Sequence, residues 1–302
     1  MRILGSAVTA LLLTAGSAVA APWSTPASIP GASDAAPLLA EDAAGPRAVY
    51  WETLSLTPGT TPISAFVSAL GPGLQPAPAA LLSPTVNPGE ALAYGSGRVA
   101  LAETQTGVAT GPLGGPLIVH PLTPDVLALA GDAAGDLAVL TEPCGARFAG
   151  CDATTPSVVI GRRGHALGRP IRLDPRRGRA YDAGLAMDAH GRILVAWDRG
   201  GAIYARFVST HGKLSPIQRL ASEHGPPRFD VALSNDGRAG VGWGTQTVDE
   251  GDATSPFRAT LSLAGSSGRF GRARTLGTVP VTGVGRYIPY RGLAVRLPAG
   301  QP

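Results

Sequence analysis

A short phrase that occurs twice constrains this chain of 302 residues more than any other feature. Residues 188–197 read Asp-Ala-His-Gly-Arg-Ile-Leu-Val-Ala-Trp, and residues 234–243 read Ser-Asn-Asp-Gly-Arg-Ala-Gly-Val-Gly-Trp. Asp and Asn favour tight turns, and the matched residues Gly191 and Gly237 suit the positive φ that such turns require. An apolar segment follows in both copies. The phrase therefore predicts a turn followed by a β-strand.

Weaker copies of the phrase lie upstream and make this a repeat protein. Their matched glycines are Gly45, Gly97 and Gly135, so successive repeats are 52, 38, 56 and 46 residues apart. Periods of roughly 40 to 50 residues with several strands each are typical of a β-propeller. The unequal spacing predicts loops of variable length between strands of similar length.

Each unit contains more than the turn and its following strand. Apolar segments precede the turn at residues 91–94, 126–130, 184–187 and 231–233. A third, alternating segment is seen at 202–208, and a final one at 171–173, 217–220 and 273–276. Four antiparallel strands per unit form the blade of a propeller. We therefore predict an all-β propeller, with Trp197 and Trp243 buried between neighbouring blades because both end apolar runs.

The number of blades follows from the two ends of the repeat region. The first unit starts at its second strand, whereas residues 291–297 look like a first strand with no blade after it. The sequence thus predicts five blades, in which this C-terminal strand closes the ring and protects open sheet edges. The alternative is a chain whose further blades are missing.

The N-terminal residues indicate export. Residues 1–20 combine Arg2, an apolar centre at 11–13 and small residues at 18–20, which predicts a signal peptide cleaved before Ala21. The alternative, an uncleaved anchor, is disfavoured because the apolar run is short for a bilayer. Residues 21–44 are rich in Pro and Ala and predict a flexible lead-in to a single propeller domain at 45–302. We expect a secreted or periplasmic protein with no transmembrane segment after the signal peptide.

Two cysteines, Cys144 and Cys151, lie close together in the sequence. In an oxidising compartment such a pair predicts a local disulfide. Structural zinc is the alternative, but two thiolates without a histidine pair are too few ligands.

The repeat pattern also carries a family resemblance. Asp-x-x-Gly-Arg-x-x-Val-x-Trp, followed by Gly-x-Phe-Gly and a final Leu, resembles the repeats of secreted bacterial β-propeller proteins. The resemblance covers most of residues 45–297 and is specific in the fourth and fifth units. It implies an exported propeller and names no activity. The pattern differs from the sialidase Asp-box and from the WD40 repeat.

Charge and histidine content narrow the classes of function. The formal net charge is +4, and the basic residues are arginines apart from Lys213. Because these arginines are scattered along the sequence, we expect no nucleic-acid partner. The five histidines fall mostly in predicted turns without metal-ligand spacing, which predicts surface residues and no metal site; they are His120, His165, His190, His211 and His224.

Four carboxylates are the candidate ligand-binding residues, because each lies just before a predicted first strand. In a propeller those strands begin at one face around the channel; the four are Glu90, Asp125, Asp182 and Asp230. Together they would suit a hard cation such as Ca²⁺. Apart from this cation, no cofactor is expected. Two of them would suit acid–base cleavage of a glycosidic bond. The alternative is ordinary turn chemistry.

The sequence favours a non-catalytic ligand-binding or scaffold protein of the cell envelope or medium, with no assigned catalytic residue. Its expected partner is an extracellular carbohydrate or protein. The alternatives are a carbohydrate-active hydrolase that uses the four carboxylates and a purely structural envelope protein. Fold alone does not decide among them, because propellers host many functions.

Overall fold

The structure is a computed structural model. It describes residues 38–42, 45–53, 64–69, 80–83, 88–95, 97–103, 107–112, 115–122, 125–142, 156–176, 182–223, 227–246 and 254–282. These residues form twenty strands and their turns. None of them belongs to a helix with the length and apolar character that a bilayer crossing requires.

The described strands form five antiparallel sheets, each of four strands that are consecutive in sequence. The first sheet contains β1 (Leu38–Asp42), β2 (Gly45–Thr53), β3 (Ser64–Ala69) and β4 (Ala80–Ser83). The second contains β5 (Pro88–Tyr94), β6 (Arg98–Glu103), β7 (Gly107–Pro112) and β8 (Ile118–Pro121). The third contains β9 (Asp125–Gly131), β10 (Leu137–Glu142), β11 (Ser157–Gly161) and β12 (Ile171–Arg172).

The last two sheets hold the clearest copies of the repeat. The fourth contains β13 (Ala183–Met187), β14 (Ile193–Arg199), β15 (Ala202–Val208) and β16 (Gln218–Ser222). The fifth contains β17 (Pro227–Leu233), β18 (Ala239–Gln246), β19 (Thr254–Ala264) and β20 (Arg274–Thr282). Successive first strands pack side by side, β1 on β5, β5 on β9, β9 on β13 and β13 on β17. The predicted all-β propeller with four-stranded antiparallel blades is confirmed.

The repeated phrase folds as the turn between the first and second strands of a blade. Gly191 and Gly237 have φ values of 73° and 89°, which glycine adopts at no steric cost. In the fourth blade the Asp188 carboxylate accepts the backbone N–H groups of His190 and Arg192, at 3.0 and 2.8 Å. This side chain holds the turn closed, as expected for Asp at such a position.

The core lies between the blades. Val158 and Leu140 of the third blade pack with Trp197 of the fourth, and Ile203 of the fourth packs with Trp243 of the fifth. Both tryptophan side chains are fully buried, which confirms the prediction of burial between blades. Burying a large apolar side chain contributes about 2 kcal/mol or more, so these residues tie the blades to one another.

The first described sheet contains a strand that the sequence analysis did not predict. Its inner strand is β1, residues Leu38–Asp42. Only two residues join β1 to β2, so their pairing costs little loop-closure entropy compared with pairing to a distant segment. The first sheet thus begins inside the segment predicted as a flexible lead-in.

Several predictions fall on parts of the chain outside the described residues. They are the signal peptide at 1–20, the lead-in before residue 38, the disulfide between Cys144 and Cys151, His224, and the strand at 291–297.

Candidate functional site

The four predicted carboxylates lie at different levels of their blades. Asp125 begins β9 and Asp182 directly precedes β13, whereas Glu90 and Asp230 lie within β5 and β17. The first strands all begin at one end of the blades, which we call the start face. Glu90 and Asp230 are therefore set further from that face than Asp125 and Asp182 are.

Asp182 takes part in joining the first two strands of its blade. Its backbone N–H donates to Asp198 Oδ1 at 2.9 Å, and the N–H of Ala183 donates to Asp182 Oδ1 at 2.9 Å. Asp198 is buried and returns a backbone bond to the Asp182 carbonyl at 3.3 Å. These contacts favour the turn-and-strand role for Asp182. The calcium and glycosidase hypotheses for the four carboxylates stay predictions.

Among the described residues, no group of three or more His, Cys, Asp or Glu side chains has the arrangement of a metal site. His165, His190 and His211 lie in turns and are exposed, and His120 lies in β8 with Nε2 3.0 Å from Thr110 Oγ1.

The opposite end of the blades, which we call the turn face, has a different character. It carries the turns between first and second strands and the hairpins between third and fourth strands. In the second to fifth blades, the described residues of these turns, together with Arg98 at the start of β6, include nine Arg or Lys against four Asp. The basic residues are Arg98, Arg162, Arg163, Arg169, Arg192, Lys213, Arg238, Arg269 and Arg272.

The aspartates of the turn face hold the turns in shape. Asp132 accepts the N–H groups of Gly135 and Asp136, both at 2.9 Å. Asp188 caps its own turn, as described above, and its second oxygen lies 3.2 Å from Arg192 Nε. These carboxylates keep their charge, but the basic residues outnumber them, so the described part of this face is positive on balance.

Asp236 shows the same behaviour in the fifth blade. Hydrogen bonds from the Ser234 hydroxyl and the Arg238 backbone N–H lower the pKa of this carboxyl. The Arg238 guanidinium adds a contact of 2.7 Å. The carboxylate is thereby kept in its ionised form as part of the turn.

One hairpin, residues 162–167, separates two clefts on the turn face; we call it the shared hairpin. It closes with a bond from the His165 N–H to the Arg162 carbonyl at 2.9 Å and a bridge between Gly161 and Leu167. The N–H of Arg163 donates to Asp136 Oδ1 at 2.9 Å, which ties the hairpin to the neighbouring turn. These bonds fix the backbone positions from which its basic side chains extend.

The first cleft lies between the shared hairpin and the corresponding hairpin of the fourth blade. Its volume is about 290 Å³. Arg162, His165 and Arg169 contribute from one side and His211 from the other. Gly212 packs so closely on the third blade that a Cβ there would lie 2.7 Å from Ile171 Cδ1.

The second cleft lies between the second blade and the shared hairpin. Its volume is about 370 Å³. Its polar lining includes Arg98, His120, Arg162, Arg163 and His165. Its apolar lining includes Ile118, Leu137 and Leu167.

Both clefts are suited to an anion. Among the described residues that line them there is no Asp or Glu, and Arg162 and His165 contribute to both. An arginine guanidinium forms paired hydrogen bonds with carboxylate or phosphate groups, and a histidine adds a further donor. The arrangement therefore provides binding and orientation of a negatively charged group.

Sequence reasoning overlooked this site because it treated the arginines as scattered. They recur at fixed places in the repeat, as in Gly97-Arg98, Gly191-Arg192 and Gly237-Arg238. A fixed place in a propeller repeat is a fixed place on one face of the molecule. The periodic Gly-Arg pair was thus the signal from which a basic face was predictable.

Comparisons with known proteins yield structural matches alone: no protein-family model and no curated protein matches the sequence. The structure of "YCF48 bound to D1 peptide" matches with 10% identity and a TM-score of 0.43, over 71% of this chain and 62% of that chain. A TolB candidate from Agrobacterium tumefaciens matches with 12% identity and a TM-score of 0.44, over 81% and 80%. An endo-arabinase from Bacteroides thetaiotaomicron matches with 13% identity and a TM-score of 0.38, over 80% of each chain. The fold assignment rests on the five sheets of this chain itself.

Proposed function

We propose that this protein is a non-catalytic β-propeller that binds an anionic ligand on its turn face. The observation that carries the proposal is the pair of clefts on either side of the shared hairpin. Both are lined by Arg162 and His165, and the part of their lining that the structure describes contains no carboxylate. Their volumes lie near the lower end of roughly 300–1,000 Å³, the range of small-ligand sites. A carboxylate-bearing sugar or peptide has the required charge.

The proposal includes export, on the basis of the signal-peptide pattern at residues 1–20. The ligand would then be met outside the cytoplasm, in the periplasm or the medium. Sequencing the N-terminus of protein recovered from outside the cytoplasm tests this step, with Ala21 as the expected first residue.

The alternative is a carbohydrate hydrolase that uses the carboxylates of the start face. It is less favoured, because the Asp182 carboxylate accepts the Ala183 backbone N–H, and Glu90 and Asp230 lie at another level of their blades. Ca²⁺ binding at the same residues is likewise a weaker proposal.

Binding of two polyanions, poly-L-glutamate and polygalacturonate, tests the main proposal. We expect at least one to bind the wild-type protein and to bind less tightly as salt is raised, because exposed charges are screened. Arg162→Ser should weaken binding about tenfold, the effect of losing one charge-assisted hydrogen bond. Arg269→Ser is the matched control: it removes the same charge from the hairpin of the fifth blade, which lines neither cleft.

A cleft-specific effect is what distinguishes this site from general attraction to a basic surface. Equal weakening by Arg162→Ser and Arg269→Ser would show that binding is diffuse. No binding of either polyanion at low salt would overturn the proposal.

A further inference from the structure

The outer strand of the second blade exposes apolar side chains beside the second cleft. β8 is the last strand in its sheet and pairs with β7 on one side. Ile118 and Val119 are 66% and 49% exposed. Exposed β-branched residues on the edge of a sheet favour pairing with another strand.

The side chains of β8 alternate between two sides of the sheet, as they do in any strand. Ile118 and His120 line the second cleft, and Val119 lies between them in sequence. A strand added along β8 would therefore run beside the cleft. Every second side chain of such a strand would meet the basic lining formed by Arg162 and His165.

The outer strands of the next two blades are less suited to such pairing. β12 is two residues long. β16 contains Gln218, whose amide donates to the Gly268 carbonyl at 2.7 Å and accepts from the Phe270 N–H at 3.0 Å. These bonds engage β16 with the hairpin of the fifth blade, whereas β8 combines a four-residue edge with a basic cleft.

We propose that an extended acidic segment of a partner protein adds to β8 as a fifth strand and places its carboxylates in the second cleft. The proposal rests on the proposed function and specifies its ligand as a peptide. In this mode of recognition the main-chain hydrogen bonds supply affinity and the alternate side chains supply specificity. Ile118 supplies an apolar contact, and Arg162 and His165 supply the contacts to carboxylates.

Two other occupants fit the surface less well. A second copy of this chain, paired β8 to β8, would bring two basic clefts together, and like charges at close range repel. A polyuronate would form ion pairs with the arginines, but its polar sugar rings would make few favourable apolar contacts with exposed Ile118 and Val119. An acidic peptide with β-branched residues complements both the charge and the apolar edge.

The test uses a short fluorescent peptide that alternates valine with glutamate, and a control peptide with lysine in place of glutamate. We expect the glutamate peptide to bind the full protein and the lysine peptide not to bind. Arg162→Ser and Ile118→Thr should each weaken binding about tenfold, while Arg269→Ser should leave it nearly unchanged. Thr is β-branched, so Ile118→Thr preserves the strand and removes apolar surface.

Hydrogen exchange provides the second readout. Strand addition should slow amide exchange in residues 118–120, because the outward N–H groups of β8 gain partners. A matching peptide with alternate N-methylated residues cannot complete the ladder and should bind weakly. Thermal melting of each variant checks that it remains folded.

The outcomes separate the two proposals. If polygalacturonate binds in an Arg162-dependent manner and the glutamate peptide does not, the anion site stands and the peptide assignment is wrong. If the peptide binds without protection of residues 118–120, strand addition is wrong. Concentration-dependent dimers that Ile118→Thr disrupts would assign the edge to a second copy. If no anion binds, both proposals fail.

Discussion

Trp197 and Trp243 occupy the same position in consecutive blades, yet their polar surroundings differ. Both end the apolar part of a second strand, and both side chains are fully buried. The indole N–H of Trp243 donates to Glu223 Oε1 at 3.1 Å, and the other oxygen of Glu223 accepts from Arg258 at 3.3 Å. The indole N–H of Trp197 has no acceptor among the described residues.

At the junction of the third and fourth blades, the buried carboxylate binds arginines and not an indole N–H. Asp174, which follows β12, is fully buried and forms an ion pair with Arg199. It also accepts from Arg176 Nε at 3.4 Å. The guanidinium of Arg199 lies 4.6 Å from the ring centroid of Tyr204, and that ring stacks on Trp197 at 6.0 Å.

A comparison of the two junctions shows which contacts recur from one blade to the next and which differ. The strand supplies a buried tryptophan in both, because the space between blades must be filled. The loop from the preceding blade supplies a carboxylate in both, but the carboxylate meets different partners. Apolar packing thus follows the repeat, whereas hydrogen bonding follows the loops.

The largest difference between the junctions is expected on removing the carboxylates. Asp174→Ala leaves Arg199, whose side chain is 11% exposed, without its buried partner. Such a loss costs about 3–5 kcal/mol, because an uncompensated charge stays out of water. Glu223→Ala should cost less, about 1–3 kcal/mol, since Arg258 is 46% exposed and one indole N–H loses its acceptor. Urea unfolding of both variants measures the difference. Equal losses of unfolding free energy would show that the two carboxylates stabilise their junctions to the same extent.

A smaller difference is expected between the two tryptophans themselves. Trp197→Phe and Trp243→Phe remove the same volume from fully buried sites. Only Trp243→Phe also breaks a hydrogen bond, so it should destabilise the protein by about 1 kcal/mol more. Parallel denaturation curves test this ordering. A greater loss with Trp197→Phe would show that its indole N–H has a partner after all.

The smallest effect is expected at the turns between the first and second strands of the fourth and fifth blades. Asp188 is buried in its turn, whereas the side chain of Asp236 is 42% exposed. Hydrogen bonds lower the pKa of Asp236 in the folded state, so its contribution to stability is present above the unfolded value of about 4 and is lost as pH falls. Asp236→Asn should therefore slightly reduce the drop in melting temperature between neutral pH and about pH 3. Ser234→Ala removes the main cause of the lowered pKa and should reduce the same drop; an unchanged drop in both would refute this assignment.

Several elements could be predicted because their causes are local. The Asp and Gly of the repeated phrase predicted the turns at Gly191 and Gly237, and the alternating segment at 202–208 is β15 as expected. Burial of Trp197 and Trp243 followed from the apolar runs that they end. The inner strand of the first blade was missed because no copy of the turn phrase follows β1 and its five residues are too few to show a period within the Pro- and Ala-rich lead-in.

The candidate site was predictable in part. The four acidic residues were predicted as a site because each precedes the predicted first strand of its repeat. Asp182 is instead engaged with strand backbone and with Asp198 through its own N–H. The basic residues were dismissed as scattered, although the same repeat gathers them at the turn face.

The sequence by itself determined that this chain is a β-propeller: turn chemistry and apolar periodicity act over a few residues and repeat along the chain. Only the tertiary structure decided which distant residues became neighbours. The shared hairpin lies between two other blades, and Arg162, His120 and His211 line clefts beside it because those blades pack against its own. The widths of these clefts depend on loop lengths and side-chain packing between blades, which no local pattern in the sequence specifies.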